Sequence, residues 1–274
     1  MAGRFALGHC HARGLVVSKV WLMAQGGQQN IPRPQSWKPG RKAGWEAAAT
    51  VVARPLGLAT VLQGLQTKGH LGAAPKDPVA FARDLDPVLD TLVPKEATRR
   101  AAVLCVLFEE HGQARVLLTR RSGHLRTHRG EVCFPGGRLD EGEDELAAAL
   151  REAFEEVDLD LGLVEVVGWL TPVVTLASGS FITPIVAVTH GRPKTSPSPD
   201  EVARIFDVAL DELMQPGVFR EERWSRGDRP APRSNDGSYP IFFFETEGET
   251  IWGATARMLY ELCHLAVGLV ADIS

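Results

Sequence analysis

The segment AAVLCVL at 101–107 is an unbroken apolar run with β-branched content. A strand with one wet face alternates polar and apolar residues, whereas one apolar throughout must be covered on both faces. EEHG at 109–112 supplies a turn, and ARVLLTR at 114–120 returns as a second strand, so the pair reads as a hairpin. Further strands are expected at 163–170, 181–188, 202–207 and 239–244, with long helices at 143–157 and 254–270. Helix-like spacing also marks 44–70 and 78–92, where Val79, Phe81, Ala82, Leu85, Val88 and Leu89 recur at intervals of three and four. A sheet that needs covering on both sides, with helices to cover it, is an α/β or α+β domain. Residues 99–270 are therefore expected to form one domain, a mixed β-sheet sandwiched between α-helices, with 46–98 as a helical N-terminal extension.

Composition narrows the class. The chain has 274 residues, 44% hydrophobic and 23% charged, which excludes a wholly disordered, collagen-like or coiled-coil protein. No apolar run approaches the roughly 20 residues that cross a bilayer, so no membrane partner is expected. Cys10, Cys105, Cys133 and Cys263 lie far apart with no CxxC pair. A disulfide scaffold is not expected, and a reducing, cytoplasmic compartment fits best.

The net charge of -4 conceals a division. Residues 1–58 carry eight Lys/Arg against the single acid Glu46, while the rest of the chain is acidic. AQGGQQNIPRPQSWKPGRKAG at 24–44 has almost no aliphatic residues, so 1–45 is expected to be a disordered basic leader, dispensable for turnover. Residues 1–22 admit three readings: a simple tail, an organelle-targeting segment, or sequence preceding a start at Met23. The GHCH tract at 8–11 has metal-ligand residue types but falls in that leader and reads as chance composition. The basic leader lacks interleaved aromatics, so no nucleic-acid partner is expected.

GRLDEGEDELAAALREAFEEVDL, from Gly137 to Leu159, is the most informative segment. On a helix, Glu152, Glu155 and Glu156 share one face, while Leu146, Leu150, Ala153, Phe154 and Val157 fall on the side that can meet a core. Like charges at i, i+3 and i+4 repel, and Arg151 offsets only part of that. A hard divalent cation resolves the conflict, because Mg²⁺ or Mn²⁺ takes carboxylate oxygens together with water and phosphate. A solvated acidic face is the alternative, and the flanking FPGG (134–137) and Arg-Glu spacing weigh against it.

The segment resembles the Nudix box, G-x5-E-x7-R-E-U-x-E-E-x-G-U, where U is aliphatic. Gly137, Glu143, Arg151, Glu152, Glu155, Glu156 and Leu159 match in register. Ala153 is small for U, and Asp158 replaces the glycine that ends the helix, which puts the local cap geometry in question. The resemblance implies a Nudix fold and a metal-dependent hydrolase of diphosphate bonds. In that reading Glu152, Glu155, Glu156 and the Gly137 carbonyl hold Mg²⁺ or Mn²⁺, Arg151 orients the glutamates, and Glu143 partners it. Glu152 and Glu156 are then catalytic with Arg151, and Glu201, at the end of a polar loop before a strand, is the candidate distal acid; Asp200 is its rival.

Upstream, LLTRRSGHLRTHRGEVCFPGG (117–137) resembles the signature of the coenzyme A pyrophosphatase branch, L-L-T-x-R-[SA]-x3-R-x3-G-x3-F-P-G-G. Leu117, Leu118, Thr119, Arg121, Ser122, Arg126, Gly130, Phe134, Pro135, Gly136 and Gly137 fill its fixed positions. The resemblance implies coenzyme A or an acyl derivative as substrate, bound by Arg121, Ser122, Arg126 and Arg138. Arg120, Arg121, Arg126 and Arg129, with His124 and His128, make this loop cationic, which suits a ligand carrying a diphosphate and a 3′-phosphate. ADP-ribose or a dinucleotide, and a silent Nudix-like binding module, are the competing readings, as is a basic loop that merely balances the acidic helix. Cys133 reads as a small buried residue, and Trp169, Trp224 and Trp252 as core or pocket walls. A homodimer is compatible with all of this.

Overall fold

Residues 29–47, 55–72, 99–175, 179–225 and 237–269 are described by the structure, a computed structural model. Along them run β1 (Lys38–Pro39), α1 (Gly44–Ala47), α2 (Leu58–Thr67), β2 (Arg100–Glu110), β3 (Gln113–Arg121), β4 (Val132–Cys133) and β5 (Gly136–Arg138). Then come α3 (Glu145–Val157), β6 (Glu165–Trp169), β7 (Val173–Val174), β8 (Phe181–Val188), β9 (Val202–Ala209) and α4 (Leu210–Leu213). The chain closes with β10 (Phe219–Ser225), β11 (Ser238–Thr246), β12 (Glu249–Trp252) and α5 (Gly253–Ala266).

β2 sits inside an eight-stranded mixed sheet in the order β4-β3-β2-β8-β6, with β5 on β2, β7 on β8 and β9 on β3. It runs parallel to β8 and antiparallel to β3 and β5. Alternate β2 residues enter two cores, as its apolar run requires. Ala102, Leu104 and Val106 meet Ala148, Ala149, Ala153 and Val157 of α3, while Val103, Cys105 and Leu107 join a core that includes Leu259 and Leu262 of α5 and Val61 and Leu65 of α2. Helices therefore cover both faces. Ala148 is core, and Phe154, expected to face the core, is 55% exposed.

A second sheet, β1-β10-β11-β12, packs its Phe219, Phe242, Phe244 and Ile251 into the α5-side core. β10 and β12 were not expected. The sequence of β10, FREERWS, hides its pattern because buried positions hold acids. Glu222 is 1% exposed and accepts from Arg33 (2.7 Å), Trp224 Nε1 (2.8 Å) and Arg220. Charge-assisted bonds make such burial tolerable.

The expected disorder of 1–45 does not hold for residues 29–45. β1 pairs with Arg223 and Glu222, Gln29 Nε2 donates to the Thr250 carbonyl (2.9 Å), and Trp45 is 1% exposed among Phe219, Phe244, Tyr260 and His264. Average composition missed one anchoring aromatic and the ion pair of Arg33. Removing residues 1–45 is accordingly expected to destabilise the fold. Trp45→Ala should cost about 3–5 kcal/mol, read as the shift in a urea unfolding curve. Residues 1–28, with Cys10 and the GHCH tract, and the helix expected at 78–92 lie outside the described residues. Helix α5 stops at Ala266 rather than 270, and Gly268 follows with φ +73°.

Candidate active site

Helix α3 is fixed at both ends. Asp144 Oδ1 caps its start by accepting from the Ala147 amide (2.8 Å). At the far end Asp158 takes the left-handed conformation (φ 53°, ψ 41°) that the missing glycine would have adopted, and its N–H reaches the Ala153 and Phe154 carbonyls. The helix's last carbonyls find partners too. Ser196 N donates to the Val157 carbonyl and Ser198 N to the Glu156 carbonyl, each at 2.9 Å. That docking ties the 196–201 loop to the helix carrying the acids.

The same loop delivers Glu201. Its carbonyl accepts from the Ser122 amide (2.7 Å), and the β3–β9 register shifts between Arg120 and Arg121, pairing them with Arg204 and Val202. A bulge of this kind re-aims the strand end beside a site. Glu152, Glu156 and Glu201 consequently offer carboxylate oxygens that all lie within 4.8 Å of one another.

Arg151 holds the other acids. Its Nε and Nη2 grip Glu143 at 2.9 Å each, Nη1 reaches Glu152 (3.0 Å) and Glu155 (3.1 Å), and Nη2 also donates to the Arg138 carbonyl (3.0 Å). Glu143 is held below the ordinary carboxylate range by the Arg151 bond and then by the Asp140 amide. Glu156 behaves oppositely: burial pushes it up to about 7, against the lowering effects of the Gly136 amide (3.1 Å) and of Arg121 Nη1 (3.2 Å). Glu152 is likewise raised, chiefly by burial.

A buried carboxylate of this kind, with two more carboxylates at hand and Arg121 its one cationic hydrogen-bond partner among the described residues, wants additional positive charge. The donor set is all hard oxygen, which suits a divalent cation. The backbone is shaped for it: a Cβ on Gly137 would lie 2.3 Å from Glu152 Cδ, so only glycine leaves room for that carboxylate. The residues fit a metal centre.

Among the residues expected in the site, Glu152, Glu156, Glu201, Gly137, Arg151 and Arg121 come together. Glu155 does not join the oxygen cluster; its side chain is 55% exposed and bound to Arg151. Ser122 is buried and serves the loop, its Oγ accepting from the His124 amide and its own amide holding Glu201. Arg126 and Arg138 are exposed on the flanking segments. Arg120 turns to the opposite face and, with Arg204, pairs with Glu249. Cys133 is half-buried beside the site with its thiol pushed up to about 11 by burial, so it is no nucleophile. The capping amides of Ser196 and Ser198 and the Gly136 amide act through the backbone, which leaves no side-chain signature in a sequence.

The NUDIX domain model matches residues 98–228. Nudix hydrolase 3 of Caenorhabditis elegans is 33% identical over 174 residues, 61% of this chain and 72% of that protein. The Nudix hydrolase NudL of Escherichia coli K12 is 36% identical over 173 residues, 62% of this chain and 84% of NudL. Among solved structures, the Nudix hydrolase RenU of M. smegmatis aligns with a TM-score of 0.35 at 27% identity, covering 42% of this chain and 72% of RenU. With this similarity to its relatives and the box acids gathered at one end of α3, the chain belongs to the Nudix hydrolase family, enzymes that hydrolyse diphosphate bonds.

Proposed function

We propose that the enzyme hydrolyses coenzyme A or an acyl-coenzyme A to 3′,5′-ADP and (acyl-)4′-phosphopantetheine, with Mg²⁺ or Mn²⁺, in the cytoplasm. The observation that carries this reading is the arginine loop. It follows β3 directly, and Ser122 in it is bonded to the Glu201 backbone, so a phosphate-gripping segment and the carboxylate cluster are built as one unit. Bound between Glu152, Glu156 and Glu201, the metal would neutralise charge developing on the diphosphate and lower the pKa of the attacking water.

The chain's own residues do the rest. Arg151 keeps Glu152 aimed at the cluster. Arg121, bonded to Glu156 through Nη1, offsets the charge of the clustered carboxylates and would also reach for a diphosphate oxygen. Arg126, exposed and without a protein hydrogen bond among the described residues, would take the 3′-phosphate in this reading.

A panel of diphosphates resolved by chromatography tests the substrate. Coenzyme A should be turned over fastest; if ADP-ribose or a dinucleotide wins, the assignment to coenzyme A is wrong. Arg126→Ala sharpens the test. Loss of one charge-assisted phosphate contact costs roughly 1.5–3 kcal/mol, about 10- to 150-fold. Turnover of coenzyme A should fall by that factor while dephospho-coenzyme A, lacking the 3′-phosphate, is hydrolysed nearly as before.

The metal also carries a pH signature. Since Glu156 titrates at about 7, cation binding displaces a proton at lower pH. Apparent Mn²⁺ affinity of the metal-free protein should rise about tenfold per pH unit below 7 and level off above it, as followed by Mn²⁺ electron paramagnetic resonance. Linkage to folding has the opposite sign. The folded pKa lies above the ordinary 4.5, so the contribution of Glu156 to stability is complete below 4.5 and is lost as pH rises through about 7.

A further inference from the structure

Arg257 stands on α5 four residues before Glu261, a spacing at which opposite charges on one helix can pair. They do not pair here. Both Glu261 oxygens accept from the Thr171 amide (3.2 and 3.1 Å), one also takes the Thr171 hydroxyl, and His70 Nε2 lies 3.8 Å away. The Arg257 guanidinium is left with no hydrogen bond or ion pair among the described residues. The residue is half-buried, and its Nη2 lies fully inside without a partner. Burial pushes the group below its ordinary value, and the charge of Glu261 offsets only part of that. An uncompensated buried cation destabilises a fold, so such a group is normally matched by a partner.

The start of the helix points to what that partner is. A long side chain on a helix leans toward the N-terminus, so Arg257 reaches back over Gly253, one turn earlier on the same face. There the first-turn amides have no acceptor within the helix, and no side chain caps them. Gly253 has φ +65°, and a Cβ on it would meet no atom within 4 Å, so the helix start borders open space. A guanidinium fork and a helix N-terminus beside one open space both call for an anion. A phosphate dianion serves the two together, with two oxygens for the fork and a third for the amides.

We propose that Arg257 and the first turn of α5 bind a phosphate group, either inorganic phosphate or the phosphate of a monoester. The site is not the place of hydrolysis. The charges that act on Glu152 and Glu156 are those of Arg151, Arg121 and neighbouring glutamates, whereas the charge that acts on Arg257 is that of Glu261. It borders the same elements all the same: α5 follows β12, which packs against β4, and β4 runs directly into the FPGG turn. Hydrolysis of a diphosphate linkage leaves a phosphate monoester on each side of the broken bond, so ligands of this class form where the enzyme works.

Thermal unfolding of the metal-free full chain tests this with inorganic phosphate as the probe and no nucleotide, so the result does not depend on the coenzyme A reading. Phosphate at about 20 mM should raise the wild-type Tm by about 2–4 °C more than that of Arg257→Met, which keeps an apolar stem and shares any general salt effect. Without phosphate, Arg257→Met should melt no lower than the wild type, because it removes an uncompensated charge. Arg257→Lys keeps the charge and loses the fork, and its phosphate midpoint should lie about tenfold higher. Arg126→Ala should keep the full shift, which separates this site from the arginine loop. Equal shifts in wild type and Arg257→Met overturn the proposal. So does loss of the shift in Arg126→Ala, or an Arg257→Met protein that melts several degrees lower in phosphate-free buffer. Steady-state assays then tell the two sources apart. A phosphate carried by the substrate makes kcat/KM fall about tenfold in Arg257→Met, whereas free phosphate separates the two proteins only when it is added to the assay.

Discussion

Glu156→Gln should lower kcat for diphosphate hydrolysis by about three orders of magnitude, while the metal-free protein folds at least as stably as the wild type. Two consequences of burial point in opposite directions. The Glu156 side chain is 2% exposed, and its ionised form is disfavoured there, so a neutral amide of the same shape removes a desolvation cost at neutral pH. The amide oxygen can still accept from the Gly136 N–H, and the bond that is lost is the one from Arg121 Nη1, a side chain 24% exposed that water can serve instead. Yet the amide removes one of the three charges gathered for a cation, and with it several kcal/mol of charge stabilisation in the transition state. A residue whose only task was structural would show loss of stability and loss of rate together. Thermal unfolding of the metal-free variant beside its kcat separates the two, and a Gln variant that turned over at the wild-type rate would remove Glu156 from the metal centre.

What made this site legible is that its chemistry lies in one contiguous stretch. A helix places Glu152 and Glu156 one turn apart without tertiary information, and the box spacing fixed Arg151 and Glu143 as their partners. Glu201 was legible only as an acid at a strand entrance, because its approach depends on backbone bonds, from the Ser122 amide to its carbonyl and from its own amide to the Ser198 carbonyl, that any side chains would allow. Glu155 shows the converse limit: helical spacing put it on the acidic face, but its side chain, 55% exposed to solvent, lies beside Arg151 and stays outside the oxygen cluster. In the fold, β2 announced itself through its apolar run, whereas β10 did not, since its buried acids are matched by Arg33, Arg41, Arg220 and Arg223, which lie at varied distances along the chain. Phe154 fits the spacing of a core face yet is 55% exposed, since apolar spacing marks a helix face without fixing how far the sheet beneath it extends.

The two glycines of FPGG should fail in different ways when each is replaced by alanine, although they are neighbours. Gly136 has φ +152°, and a Cβ there would lie 2.4 Å from the Ala102 carbonyl oxygen and 2.6 Å from Val103 Cα. Both obstacles are backbone of the central strand β2, which cannot yield without breaking its pairing with β5. Backbone strain and steric overlap each cost about 1–3 kcal/mol, so Gly136→Ala should lose roughly 3–5 kcal/mol of stability, enough to threaten folding. Gly137 needs no unusual φ, and what its Cβ would strike, at 2.3–2.6 Å, is the carboxylate of Glu152. A side-chain end can swing aside. Gly137→Ala should therefore fold to within about 1 kcal/mol of wild type. The displaced Glu152 loses its alignment with Glu156 and Glu201, however, and a misplacement of about 1 Å at a reacting centre costs on the order of 100-fold in rate. Urea unfolding and kcat measured on both variants give the comparison. Equal losses of stability would mean that β5 rather than Glu152 absorbs the strain at Gly137; a Gly137→Ala enzyme with full activity would mean that Glu152 does not need its observed position against the strand.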